Sequence, residues 1–194
     1  MPAINAIKSY MINGIYHIYN RGVEKREIFD GGSDYETFMQ FLCNYICVPR
    51  GLTNRLTFCG DIKLFVYCLM PNHFHLMLTQ RHINDMTRFM RCLEVSYIRF
   101  FNKKYSRVGH LFQSGYRARI IKSDEDIIAT ADYIHLNPKE ICKDITKYRY
   151  SSLRYYVKDQ EDIIDKSFLL NYFDDSPKKY KKHLLGLNPK LIQV

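Results

Sequence analysis

Apolar positions along this chain fall into two rhythms, and the switches between them lay out an alternating order of strands and helices. Over residues 14–21, Ile15, Tyr16, Ile18 and Tyr19 form a branched and aromatic run broken by polar His17 and Asn20, which predicts a first strand with Gly22 as a turn or edge residue. Ser33 or Asp34 then suits the cap of a first helix, in which Phe38, Phe41, Leu42, Tyr45 and Ile46 lie on one side until Pro49-Arg50-Gly51 ends it. Residues 62–69 and 73–79 read as two strands, and the tight Met70-Pro71-Asn72 connection makes them an antiparallel hairpin. Asn84 or Asp85 opens a long second helix whose Phe89, Leu93, Ser96 or Tyr97 and Phe100 recur at helical spacing up to Asn102-Lys103-Lys104. Residues 109–115 predict a loop, and 116–121 a fourth strand. Ser123, followed by acidic Asp124, Glu125 and Asp126, starts a third helix with apolar Ile127, Ile128, Ala131, Ile134 and Leu136, which Pro138 stops.

Two such alternations around a small, mainly antiparallel sheet predict an α+β fold of ferredoxin-like (RRM-like) type, with helices packed on one face, rather than a doubly wound sheet. Beyond residue 139 the chain turns Tyr- and Lys-rich, with Tyr148, Tyr150, Tyr155 and Tyr156, an apolar Phe168-Leu169-Leu170 patch, and Lys178, Lys179, Lys181 and Lys182. That composition predicts a mainly helical C-terminal appendage. The expected division is a domain over residues 10–140 and an extension over residues 141–194 that packs on it.

Composition fits this picture. The chain has 194 residues, 46% hydrophobic and 25% charged, which is a globular balance with enough length to bury a core. Its six cysteines contain no CxxC pair and sit mostly among apolar neighbours, so they read as small buried hydrophobes in a reducing compartment rather than as zinc thiolates. No secretory leader is indicated, and every apolar run stops short of the roughly 20 residues that a spanning helix needs, so the expectation is a cytoplasmic protein without a membrane partner. Phosphate-loop, dinucleotide, zincin and α/β-hydrolase signatures are absent, and there is no internal repeat.

Charge narrows the partner. The formal net charge is +9, and between residues 81 and 119 Arg81, Arg88, Arg91, Arg99, Lys103, Lys104, Arg107, Arg117 and Arg119 are opposed only by Asp85 and Glu94. This stretch is a candidate phosphate-binding surface, with a solvated basic face as the plainer alternative. Tyr97, Phe100, Phe101, Tyr105, Phe112 and Tyr116 interleave with the bases, and such rings suit stacking on unpaired nucleobases as well as core packing.

Two short segments carry the candidate chemistry. In His73-Phe74-His75 the two imidazoles are at i and i+2 of a strand, on one face, where they can converge on one metal ion or simply line a solvated strand face. In Tyr133-Ile134-His135-Leu136-Asn137-Pro138, Tyr133 and Asn137 lie one helical turn apart on the same side. A phenol with a reference pKa near 10 is a poor nucleophile at neutral pH unless its electrophile is polarised, which a metal held by His73 and His75 would do. The amide oxygen of Asn137 offers a third ligand; equally, an Asn before Pro ends many helices, and a tyrosine among 16 is usually there for packing.

Taken together, Tyr16-His17-Ile18-Tyr19-Asn20-Arg21-Gly22, Met70-Pro71-Asn72-His73-Phe74-His75 and Tyr133-Ile134-His135-Leu136-Asn137-Pro138 resemble the HUH single-strand DNA transposases of the tyrosine type, and most of all their REP-associated branch. The resemblance runs in order over residues 10–155, and Phe112-Gln113-Ser114-Gly115-Tyr116 is similar to the segment leading into the family's last core strand. It implies Tyr133 as catalytic nucleophile, His73 and His75 as the metal-binding pair and Asn137 as the amide ligand. It also implies cleavage of one DNA strand beside a hairpin, a 5′-phosphotyrosine intermediate, and rejoining without an external energy source. Two imidazoles, one amide oxygen and substrate oxygens suit Mg2+ or Mn2+. The implied partner is single-stranded or hairpin DNA, the implied assembly a monomer or a homodimer, and the basic helix and Arg117 and Arg119 are expected to form a DNA surface next to Tyr133. Two other readings use the same residues: a non-catalytic binder of hairpin or single-stranded nucleic acid, and a metal-dependent phosphodiesterase that activates water instead of tyrosine. The family pattern departs right after Pro138, at Lys139-Glu140-Ile141-Cys142, where substrate contacts are expected to differ.

Overall fold

The computed structural model describes residues 10–49, 51, 56–158 and 163–187. Strands β1 (Ile15–Arg21), β2 (Ile62–Met70), β3 (His73–Gln80) and β4 (Arg117–Ile121) form one antiparallel sheet in the order β2-β3-β1-β4. Helix α1 (Gly32–Ile46) joins β1 to β2 and α2 (Asp85–Lys104) joins β3 to β4, which is the ferredoxin-like α+β arrangement expected from the alternation. Helix α3 (Asp124–Leu136) follows β4, and the appendage adds α4 (Leu153–Lys158), α5 (Ser167–Leu170) and α6 (Pro177–Gly186). Residues 159–162 and 188–194 of the expected extension, and Arg50 of the expected stop after the first helix, lie outside the described residues.

Strand alternation divides the work of the sheet. Phe74, Leu76 and Leu78 of β3 are fully buried and face the layer of α1 and α2, where Phe38, Leu42, Phe89, Leu93 and Tyr97 are also buried; the Phe38 ring packs on Phe74 and Tyr97. His73, His75 and Met77 therefore point the other way, toward α3, together with His17 and Tyr19 of β1, since Tyr19 pairs with His75 and His17 with Met77. Arg119, opposite His17 on β4, reaches Asp126 and Thr130 of α3 from that same side.

Two helix starts differ in how they are capped. Ser123 caps α3 as its position predicts, accepting the Asp126 N–H at 3.2 Å. For α1 the cap position is Gly31, and Asp34 instead sits inside the first turn, its carboxylate accepting the N–H groups of Asp30 at 2.9 Å and Gly31 at 3.1 Å. The carboxylate can reach back because burial against Lys104 and Tyr105 holds it there.

The appendage completes the sheet rather than trailing from it. β2 is an edge strand, and its outer backbone is paired: Leu69 N–H donates to Tyr150 O at 2.9 Å, Ser152 N–H to Tyr67 O at 3.0 Å and Asp165 N–H to Leu64 O at 2.8 Å. On α3, buried His135 is bonded on both ring nitrogens, to the Tyr180 hydroxyl at 2.7 Å and the Ser152 hydroxyl at 2.8 Å. Asp132, also buried, meets His183 of α6 at 2.6 Å. Among the described residues no helix is long and apolar enough to cross a membrane.

Candidate active site

The site begins at the turn between β2 and β3. The carbonyl of Pro71 accepts the N–H groups of Ile28 and Phe29, at 2.8 and 3.0 Å, and the carbonyl of Asn72 accepts the Gly22 N–H at 2.9 Å. Gly22 is required where the segment leading to Ile28 and Phe29 folds back on it, because a Cβ there would stand 2.2 Å from the carbonyl oxygen of Arg26. The Arg-Gly that ends β1 thus fixes the turn from which both histidines project.

Hydrogen bonds then orient each ring. Asn72 donates its Nδ2 to the carbonyl of Lys25 at 3.2 Å, which leaves its Oδ1 to accept from His73 Nδ1 at 2.6 Å. Asn137, the residue that ends α3, donates its Nδ2 to the Tyr133 carbonyl at 2.9 Å, so that its Oδ1 faces His73 Nε2 at 3.1 Å. His75, only 4% exposed, bonds through Nδ1 to His17 Nε2 at 2.9 Å, and its Nε2 is buried with no hydrogen-bond partner. The Tyr133 ring stands edge-on to His75, with centroids 5.3 Å apart, and 5.8 Å from His17. His73, His75, Tyr133 and Asn137 line one cavity of about 400 Å³, shared with Tyr19, Asn20, Arg21, Gln113, Ser114, Arg117 and Glu140.

Electrostatics keep the imidazoles neutral. Burial lowers the pKa of His73 and outweighs the contact with Asn137, which raises it; Arg21 adds to the lowering and Glu140 opposes it. Burial pushes His75 well below the ordinary histidine range, helped by His17 and His73. Burial, followed by the Arg119 guanidinium, brings His17 down to about 3. Neutral imidazole is the form that ligates a metal. Nδ1 and Nε2 of His73 both face amide oxygens, and a neutral ring has one proton for the two; placed at the shorter contact, to Asn72 at 2.6 Å, that proton leaves the Nε2 lone pair facing Asn137 Oδ1 at 3.1 Å. That separation is close to the edge, about 3 Å, of an octahedron with metal–ligand bonds of about 2.1 Å. Together with the unpartnered Nε2 of His75, the donor set fits a divalent cation. The Tyr133 phenol is shifted upward by burial, while the nearby Asn137 amide works in the opposite direction.

The sequence-derived site residues divide into three groups. Tyr133, His73, His75 and Asn137 come together, and Arg117 joins them on the cavity wall. Arg119 is committed within the fold, donating to both Asp126 oxygens at 2.9 Å and to Thr130 at 2.7 Å. The basic helix is not next to Tyr133, contrary to the expectation: α2 packs on the opposite face of the sheet, because its Phe89, Leu93 and Tyr97 fill the core there. Of its bases, Lys104 bonds Asp34 at 2.5 Å and Arg88 lies over the Phe58 ring, while Arg91, Arg99 and Lys103 are exposed. Arg107 is half-buried in the loop after α2. Sequence reasoning assigned no role to His17, Gln113, Ser114 or Glu140; for His17 the signal was its strand position, on the face that β1–β3 pairing shares with His75.

A separate His/Asp group able to coordinate a divalent ion is formed by Asp61, His82 and Asp85, whose donor atoms lie within 4.8 Å of one another. It sits at the other end of the β2–β3 hairpin from His73, and its Asp85 also accepts the His82 N–H at 3.0 Å at the start of α2.

Comparisons with known proteins agree with this geometry. No curated protein matches the chain. A solved structure of a REP-associated tyrosine transposase bound to a REP hairpin is similar to it with a TM-score of 0.59 and 12% identity, over 84% of this chain and 94% of that one, which is a likeness of fold. The family model described as IS200-like transposase matches residues 10–137. Family and fold together support a HUH-type mechanism in general, with metal binding, DNA binding and strand cleavage as its themes. Because the family match runs from Tyr10, ahead of β1, to Asn137 and takes in every residue of the cavity except Glu140, the chain belongs to the IS200-like transposase family.

Proposed function

We propose that this protein is a metal-dependent single-strand DNA endonuclease and strand transferase of the REP-associated kind, acting beside a DNA hairpin through a 5′-phosphotyrosine on Tyr133. The observation that carries this reading is the placement of the Tyr133 ring against His75, in the cavity where His73 Nε2 and Asn137 Oδ1 stand 3.1 Å apart. His73, His75 and Asn137 would hold Mg2+ or Mn2+. When bound, such an ion supplies Lewis-acid polarisation of a phosphate.

The chain's own residues do the rest. Tyr133 attacks the scissile phosphorus; the Oη–P bond forms as the P–O3′ bond breaks, the phenol proton leaves, and the departing 3′-oxygen takes one up. The phosphate ester energy is kept in the phosphotyrosine, so attack by a 3′-hydroxyl reverses the step and joins strands. Arg117 and Arg21 on the cavity wall supply positive charge beside the DNA backbone. Tyr133, His73, His75 and Asn137 meet within one chain, so the proposed site is assembled in cis.

The test is to incubate the protein with a hairpin-bearing single strand and Mg2+ or Mn2+, digest it, and map the DNA-linked peptide. The adduct is expected on Tyr133, and it should vanish in Tyr133→Phe and in His73→Ala or His75→Ala, with most DNA binding retained in all three. Cleavage by Tyr133→Phe at the wild-type rate would instead establish water as the nucleophile, and binding with no cleavage by the wild type would establish a non-catalytic binder.

A further inference from the structure

We propose that His17 is a positioning residue for the metal site: its Nε2 accepts the Nδ1 proton of His75 and so holds His75 in the tautomer whose Nε2 carries a lone pair. The inference rests on the reading of His73, His75 and Asn137 as metal ligands.

The two rings share one hydrogen bond of 2.9 Å, so one of them donates and the other accepts. If His17 donated, neutral His75 would carry its own proton on Nε2, where a buried N–H would have no acceptor and no lone pair would remain for an ion. If His75 donates, its Nε2 is a buried lone pair inside the cavity that His73 and Asn137 share, which is what a ligand requires. His73 shows the same design with a different partner. Its Nδ1 donates to Asn72 Oδ1 at 2.6 Å, and the orientation of that amide is set by the bond from its Nδ2 to the Lys25 carbonyl. Both imidazoles are thus tied at Nδ1 by a group outside the donor set and left open at Nε2, an arrangement that fixes ring orientation and raises ligand basicity.

His17 is placed for this role by the sheet. It pairs with Met77 on β3, diagonally beside His75, and with Arg119 on β4. It is 4% exposed, and its ring is packed between Tyr19, at 4.9 Å, and Tyr133, at 5.8 Å, so the acceptor nitrogen is held in place by packing.

Two measurements test the proposal. In metal-free wild-type protein labelled with 15N-histidine, the nitrogen shifts of His75 should report the Nδ1–H tautomer; an Nε2–H tautomer would overturn the assignment, whether or not any variant folds. Free Mn2+ counted by electron paramagnetic resonance then gives metal affinity. His17→Phe should weaken Mn2+ binding about 10- to 100-fold. His17→Gln, whose amide oxygen can accept the same proton, should restore it to within a few-fold of wild type. A folded His17→Phe protein that binds Mn2+ like wild type, or an equal loss in the Gln variant, makes His17 a packing residue only. His75→Ala serves as the control for the underlying reading: if it too binds Mn2+ like wild type, the ligand assignment itself fails, and that failure is distinct from a loss confined to the His17 variants.

Discussion

Arg117 and Arg119 stand two residues apart on β4, point to the same side of the sheet, and have different surroundings. Arg117 is exposed at the cavity wall, whereas Arg119 grips Asp126 with two bonds and Thr130 with a third, tying α3 to the sheet. Arg117→Ala is therefore expected to leave stability unchanged and to reduce the salt slope of hairpin binding by about 0.7–0.9, the value of one neutralised phosphate. Arg119→Ala is expected to cost about 1 kcal/mol of stability, since a single guanidinium nitrogen serves both Asp126 oxygens and the pair is about a third exposed. Thermal denaturation and a salt titration of binding, run on both variants, check this. Equal salt slopes in wild type and Arg117→Ala would remove Arg117 from the DNA surface. The sequence lists both arginines in one basic run and cannot separate them, because the difference lies in what α3 brings to residue 119 and not to 117.

At the scale of elements, α1 and α2 are joined end to end by a buried charge. Asp34 has no exposed side-chain surface, and burial by itself would raise its pKa; the Lys104 ammonium, the Tyr105 hydroxyl and the Asp30 and Gly31 amides outweigh that, and the net shift is downward. A carboxylate held below its unfolded value, which is about 3.9, binds fewer protons in the native state, so its contribution is present above that pH and is lost as pH falls through the lower folded value. Asp34→Asn should destabilise the protein by about 2–3 kcal/mol at neutral pH, because it removes the charge that Lys104 meets; Lys104 is a third exposed, which keeps the cost below that of a fully buried pair. Chemical denaturation at pH 7 and again near pH 3 measures this, with the gap between variant and wild type narrowing at the lower pH. A gap that stays constant would assign the loss to packing. The helices themselves were legible in the sequence: the stop at Pro138 and the Ser123 cap fall where the residues predict, since these signals are local. Asp34 was legible as a cap candidate and not as a clamp, because Lys104 is 70 positions away and no local period connects them.

At the scale of the whole molecule, legibility decreases with distance along the chain. Tyr133 and Asn137 are one turn apart and His73 and His75 two residues apart, so each pair could be read directly, while the meeting of the pairs requires α3 to cross the face that β3 and β1 share. His17 acquires its meaning only when β1 is inserted between β3 and β4, and α2 leaves the neighbourhood of Tyr133 for the same topological reason. Composition changes at residue 140, and the extension beyond it packs on the domain through its own buried side chains. Leu153, Tyr156, Leu169, Tyr180 and Leu184 of the appendage are buried, each stabilising by about 1.5–3 kcal/mol, which together is comparable to the 5–15 kcal/mol of a typical domain. Cutting the chain after residue 140 would also strip the outer backbone partners of β2, and would leave His135 without Tyr180 and Ser152 and Asp132 without His183. A chain of residues 10–140 is therefore expected to aggregate through the β2 edge or to lose the protection of α3 that the full-length chain keeps. Size-exclusion chromatography and amide hydrogen exchange of the truncated and full-length chains measure this. If residues 10–140 stay monomeric with wild-type exchange in α3, the appendage is dispensable to the catalytic helix, and the contacts of His135 and Asp132 do not hold that helix on the sheet.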